Sequence, residues 1–230
     1  MSTWCLIAWL SWFGLASPEA TLAPVNHFRI TADFTVKQKQ GDKGQMVSGK
    51  LYYDLKVNKL CYQIQFPEPE YLVFKDSLLF RFNEKKEFEE VKEVMYHPAL
   101  STYALVLTRS LEDLGLKRSG YGITDLQMKG DSVVITRWDP PPQLKDKLGR
   151  VFLSHQQKII QGAVFYNPRG DLIAKEFYQE MEVIDGMPVP TQKLTILYPD
   201  GEKRMTITKL KNVRFDELDQ PDLYNFPLPD

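Results

Sequence analysis

Three histidines, two cysteines and one serine–histidine pair are the side chains in this 230-residue sequence with the means for covalent or metal chemistry. His27, His97 and His155 are scattered, without the short ligand spacing of a zinc site. Ser154 and His155 are neighbours, but in a strand neighbours point to opposite faces, which rules out a nucleophile–base pair. Asp125 and Asp139 have no evident acid–base companion, and Glu112 and Asp113 read as solvated groups at a helix end. Cys5 lacks the leucine and small residues just upstream that a lipid-attachment cysteine needs, so the chain is not expected to be a lipoprotein itself. Cys61 is then the one cysteine of the mature chain, and no intramolecular disulfide can form. These residues describe a chain that is not an enzyme and uses no cofactor or metal.

The elements that would position a site are strands. Residues 59–66 alternate cleanly, with Leu60, Tyr62, Ile64 and Phe66 on one face and Lys59, Cys61, Gln63 and Gln65 on the other. The same period runs through residues 28–39, 45–55, 70–75 and 77–83, where Leu78, Phe80 and Phe82 oppose Arg81. Strands return at 131–138, 150–154, 158–166, 171–184, 188–198 and 202–215. Their turns are marked by Asn167-Pro168-Arg169-Gly170, Asp185-Gly186 and Pro199-Asp200-Gly201. Between the two strand groups, Leu100, Tyr103, Ala104, Leu107, Leu111 and Leu114 recur at helical spacing and Gly115 follows, which predicts an amphipathic helix over 99–114. Residues 143–149 suit a helical turn. The charge run 84–93 reads as a solvated loop or edge, and the proline-rich end from Pro221 as a tail lying across an edge.

This pattern predicts a mainly β (α+β) protein: ten or eleven antiparallel strands in one strongly curved sheet, with one helix on the concave face. Alternating strands carry an apolar face that must be covered. One helix is too small for a deeply curved sheet of this size, so the remainder is expected to be a cavity. Phe34, Leu51, Tyr53, Leu60, Tyr62, Ile64, Leu78, Phe80 and Phe82 are its candidate wall, and Tyr103, Leu107 and Leu111 the sheet-facing side of a helical lid. A surface of this kind suits holding an apolar ligand better than breaking a bond.

Residues 1–16 hold three of the four tryptophans and no charge, and small residues follow at Gly14, Ala16 and Ala20. The run is too short for a comfortable membrane span and suits a signal peptide over about residues 1–20, leaving 21–230 as one domain. A formal net charge of −1 gives no reason to expect nucleic acid as a partner.

Four stretches resemble the periplasmic outer-membrane lipoprotein carriers of the LolA-like family. Residues 33–38 (DFTVKQ) are similar to the family's first strand and 48–53 (SGKLYY) to its second. Residues 71–83 (YLVFKDSLLFRFN) are similar to a later hairpin, and 212–215 with 224–229 to its C-terminal motif. The resemblance spans about residues 28–229. It implies a half-barrel with a helical lid over a hydrophobic cavity for lipoprotein acyl chains or lipids, in a periplasmic monomer. The implied partners are an inner-membrane release complex and an outer-membrane receptor. A lipoprotein sensor or scaffold of the same fold is the alternative function, and an inner-membrane anchor through an uncleaved N-terminus the alternative location. Where the family has an arginine and a proline after the second strand, latching the lid, this chain has Lys56 and Val57. A lysine lacks the planar fork of arginine, so a latch at Lys56 would be looser.

Overall fold

The structure, a computed structural model, describes residues 27–94, 97–199 and 202–229. The expected signal peptide over 1–20, with Cys5, lies outside the described residues. Thirteen antiparallel strands form one continuous curved sheet: β1 (Arg29–Gln40), β2 (Lys43–Asp54), β3 (Lys59–Phe66), β4 (Glu70–Lys75), β5 (Leu78–Asn83), β6 (Phe88–Glu93), β7 (Gly122–Lys129), β8 (Val133–Asp139), β9 (Val151–Gln156), β10 (Ile159–Tyr166), β11 (Leu172–Ile184), β12 (Met187–Leu197) and β13 (Arg204–Phe215). Their order is β6-β5-β4-β3-β2-β1-β13-β12-β11-β10-β9-β8-β7. Every connection joins neighbours except the one from β6 to β7, and the sheet does not close, because those two strands are its edges. The β11–β12 hairpin turns on Asp185-Gly186, both at positive φ (49° and 76°), as a tight two-residue hairpin requires.

The charge run 84–93 contains the edge strand β6, in keeping with its reading as a solvated loop or edge, whereas residues 122–129, not assigned from the sequence, form the opposite edge, β7. The predicted helix over 99–114 is also shorter. After a 3-10 turn at Pro98–Leu100, α1 covers Thr102–Leu107 alone, capped by the Ser101 hydroxyl, which accepts the Ala104 N–H at 3.1 Å. It ends because Arg109 takes a positive φ of 53°. The Arg109 N–H then reaches the Val106 carbonyl and the Ser110 N–H the Leu105 carbonyl, a Schellman closure. The Thr108 hydroxyl also competes for the Ala104 carbonyl at 2.7 Å. Turns at Leu114 and Gly115, both at positive φ, carry the chain on to Gly120.

Residues 98–121 lie across the inner face of the sheet. Tyr103, Ala104, Leu105, Val106, Leu107, Leu111 and Leu116 share one buried cluster with Ile30, Phe34, Leu51, Tyr53, Leu60 and Leu153. A second cluster sits on the outer face. There Tyr52, Cys61, Val73, Phe80 and Phe82 are covered by the tail: α2 (Pro221–Tyr224) and Phe226. The tail thus lies over a face rather than across an edge. The Phe226 ring lies tilted 4.8 Å from Phe82 and 5.3 Å from Tyr71, and the Phe226 carbonyl accepts the Lys59 ammonium at 2.9 Å. Burial lowers the Lys59 pKa, as it must when an ammonium leaves water.

The seam between β1 and β13 is locked by Asp216. Its carboxylate accepts the backbone N–H groups of Phe28 (2.9 Å) and Arg29 (3.0 Å), and lies 2.8 Å from His27 Nδ1. Burial alone would raise the Asp216 pKa, but the hydrogen bonds from Phe28, His27 and Arg29 outweigh it and bring the value below 3.8. The stabilisation is complete above that ordinary value and is lost as pH falls through the lower folded one.

Two measurements test this packing. Phe226→Ala, which empties a fully buried site, is expected to cost about 3 kcal/mol in urea unfolding, against less than about 0.5 kcal/mol for Phe88→Ala on the exposed edge. Asp216→Asn is expected to lower stability at neutral pH and to remove part of the acid loss seen in wild type below pH 3.8. Identical acid limbs in wild type and variant would deny Asp216 this role.

Candidate functional site

The expected wall divides between the two faces. Phe34, Leu51, Tyr53, Leu60 and Ile64 are buried on the inner face, where the half-buried Tyr62 joins them. Phe34 and Tyr62 meet edge to face at 5.0 Å, and Tyr62 and Phe74 at 6.0 Å. Phe80 and Phe82 belong to the outer cluster under the tail, and Leu78 shares their side of β5. Their parity is as expected, but the register Phe80↔Val73, Val73↔Cys61, Cys61↔Tyr52 carries it to the outer face. The inner positions of this wing mix leucines with ion pairs: Leu72 and Leu79 lie beside Glu70 and Arg81, which pair at 2.6 Å, and Glu90 and Lys92, at 2.8 Å.

Lys56 lies in the β2–β3 turn. Its ammonium stands 4.2 Å from the Phe28 ring centroid, tying the turn to the start of β1 rather than to residues 98–121. Within that segment, Arg118 acts on Tyr53 of the sheet. Burial pushes the Tyr53 hydroxyl up to about 12, the Asp54 carboxylate adds to this, and Arg118 opposes it.

Tyr103, Leu107 and Leu111 pack against the sheet, and the middle of the inner face is filled. The space left over flanks residues 98–121. On one side a cleft of about 400 Å³ is lined by Val36, Tyr62, Tyr103, Lys193, Thr208 and Leu210. The Glu176 carboxylate closes its polar end, accepting the Tyr178 hydroxyl at 2.5 Å and pairing with Lys193 at 3.3 Å. Burial, then Glu176, raises the Tyr178 pKa well above its ordinary value.

On the other side lies a larger cleft of about 780 Å³, between residues 109–123 and strands β8 and β9. Tyr121, Ile123, Val134 and Trp138 give it an apolar surface. The Trp138 indole N–H donates to Thr136 Oγ1 at 2.9 Å, so the ring offers only carbon to the cleft. Arg109, Lys117 and Lys158 stand at the rim with Glu112 and Asp113. Asp113 is engaged by the Gly115 and Lys117 backbone N–H groups at 2.9 and 3.3 Å. His155 Nε2 donates to the Glu112 carbonyl at 2.7 Å, and the Tyr121 hydroxyl to the Gly149 carbonyl at 3.1 Å. The first bond pins the turns of residues 108–121 to β9, and the second to the loop that precedes it.

The apolar surface continues past the cleft. The register Leu126↔Thr136 and Met128↔Val134 puts Leu126 and Met128 on the inner face beside it. Ile123, Leu126 and Met128 are 54%, 58% and 60% exposed, and every residue of β7 is exposed. Sequence reasoning missed these three residues. Their period of two was present, but a bulge between Ile123 and Asp125 interrupts it.

Of the polar candidates, His27 stacks on Phe215 and pairs with Asp216, His97 accepts the Ala99 N–H, and His155 holds Glu112. Burial pushes the Cys61 thiol up to about 12, far from the thiolate a nucleophile needs. Among the described residues, no three of His, Cys, Asp or Glu gather where they could hold a metal. The arrangement offers an apolar cleft with a rim of mixed charge.

This arrangement is one open, strongly curved antiparallel sheet, part of whose inner face is covered by a short helical segment. Known structures share it. A LolA superfamily protein from Nitrosomonas europaea superposes with a TM-score of 0.58 at 10% identity, over 86% of this chain and 91% of that one. A DUF1329 family protein from Desulfovibrio piger gives 0.56 at 14%, over 86% and 90%. A putative outer membrane lipoprotein-sorting protein domain from Vibrio parahaemolyticus gives 0.54 at 10%, over 86% and 90%. No family model matches the sequence, and no curated protein matches it. The chain therefore has the LolA-superfamily fold, at identities where the likeness is one of architecture.

His155→Ala removes one pin from the covering segment. It is expected to cost about 1 kcal/mol and to speed amide exchange over residues 110–121 while the β1–β2 pair stays protected. Uniform acceleration across the sheet would mean that the segment does not open on its own.

Proposed function

We propose that the protein binds acyl chains, of lipoproteins or of free lipids, on the inner face of its half-barrel and carries them between membranes. One observation carries this reading. An apolar strip of Ile123, Leu126 and Met128 lies open to water on the inner face and runs into the cleft beneath residues 109–121. Exposed contiguous apolar surface beside a cleft marks an interaction site. Burying an acyl chain yields about 0.8 kcal/mol per CH₂, so a few chains bind strongly unless the site is part-occluded. The packed segment 98–121 acts as that occlusion: the middle of the face is a closed reserve, and the β7–β8 wing is the entry.

The fold likeness to a lipoprotein-sorting domain supports the same reading. In it, residues 21–230 are one binding domain exported to the periplasm by residues 1–20. Cargo comes from an inner-membrane release complex and passes to an outer-membrane receptor, with no bond made or broken. Within the described residues, no helix is long and apolar enough to cross a membrane.

The test uses Trp138, the one tryptophan of the described residues, as a reporter. A brominated or nitroxide-labelled fatty acyl probe is expected to quench its emission. Ile123→Glu and Leu126→Glu, at exposed positions, are expected to weaken probe binding at least tenfold without lowering the melting temperature. Phe80→Asp, on the outer face, is expected to act through stability instead. Undiminished binding by both folded glutamate variants would remove the β7–β8 wing from the site.

A further inference from the structure

The open edge of the sheet specifies its occupant. Among the described residues β7 hydrogen-bonds to β8 alone, which leaves one side of it as an open sheet edge, and an edge of this kind pairs with another extended chain. The other edge, β6, is blunted by four charges in six residues, Glu89, Glu90, Lys92 and Glu93. β7 carries only Asp125 and Lys129, with Leu126, Gln127 and Met128 between them.

That five-residue stretch is complementary to itself. Laid antiparallel to a second copy about a two-fold axis through Gln127, Asp125 meets the partner's Lys129 and Lys129 meets the partner's Asp125. Leu126 meets the partner's Met128, and Gln127 its own equivalent. The faces agree as well. Leu126 and Met128 are inner, opposite Thr136 and Val134 of β8, while Asp125, Gln127 and Lys129 point outward, where Gln127 already donates to Asp125 at 2.9 Å. Cross-strand pairs of opposite charge and of apolar side chains are those that stabilise antiparallel neighbours. We propose that β7 is a homodimer edge, joining two half-barrels into one continuous sheet through an Asp125–Lys129 charge pair on each side of the axis.

This departs from the monomer expected from the sequence. The pairing stands on the edge alone. Its consequence for ligand rests on the acyl-chain reading: the partner's Leu126 and Met128 extend the apolar strip, so two clefts open onto one shared surface. An edge-to-edge contact is smaller than a standard protein interface, so the dimer is weak and concentration-dependent.

Sedimentation velocity of the full mature chain across a concentration series tests it. Wild type is expected to pass from monomer to dimer as concentration rises. Asp125→Lys sets like charges against each other at both contacts, as does Lys129→Asp, and each is expected to need at least tenfold higher concentration to dimerise. An equimolar mixture of the two variants restores opposite charges at both contacts and is expected to dimerise like wild type, as is the double variant Asp125→Lys/Lys129→Asp. A wild type monomeric throughout, single variants that associate like wild type, or a mixture that stays monomeric would each overturn the proposal. Protection of the β7 amides gained only on adding a synthetic lipopeptide, with the mass remaining monomeric, would also overturn it and give the edge to cargo. Trp138 quenching by the acyl probe is read separately, so a failed dimer leaves the binding reading intact and a failed quench leaves the dimer intact.

Discussion

The molecule is organised by a mismatch of areas. A sheet of thirteen strands that does not close presents more apolar inner surface than one crossing segment can cover. Apolar surface left in water costs about 25 cal/mol per Å², so the chain places its bulkiest covering side chains where the sheet is most apolar, over β1, β2 and β3. The two wings solve what remains in opposite ways. Toward β6 ion pairs stand among the inner positions, Glu70 with Arg81 and Glu90 with Lys92, beside Leu72 and Leu79. Toward β7 the inner positions stay apolar and exposed. The asymmetry is one of charge: ion pairs stand on the inner face of one wing, and exposed apolar side chains on that of the other.

The covering segment suits a part that opens without unfolding the rest. Its helix is six residues long, far below the length at which a helix holds itself together in water. Packing therefore supplies its stability, aided by two polar pins from Tyr121 and His155. Lifting it breaks those contacts while the strand ladder beneath keeps its hydrogen bonds. The tail does the converse on the outer face. Tyr224 and Phe226 fasten β2 to β5 into a firm plate, and the Lys59 ammonium holds the tail's carbonyl in place.

Much of this was legible in the sequence. The alternation at Leu60, Tyr62 and Ile64 marks both the strand and its inner face, and the Asp185-Gly186 turn marks the β11–β12 hairpin. Parity was legible at Leu78, Phe80 and Phe82, but its sign was not. Both faces of β2–β5 are apolar, and which one is inner depends on a tail that lies more than a hundred residues away in sequence. The length of the helix was hidden because tight turns can bury Leu111 as a helix would, while Leu100, at the same spacing, stays 67% exposed. The strand β7 was hidden by its bulge and its polar outward side, and with it went the three residues on which the ligand reading now rests.

The pairing of β1 with β13 brings the first and last strands of the chain together at the middle of the sheet. Everything else is a local meander, quick to form because neighbours in sequence are neighbours in space. The central seam is the exception. During synthesis β1 emerges early, and one of its backbone edges waits unpaired until some 170 residues more have followed. Its outward run of Thr35, Lys37 and Lys39 keeps that waiting edge charged. Truncation anywhere before Arg204 therefore leaves two meanders, β1–β6 and β7–β12, without the strand that joins them.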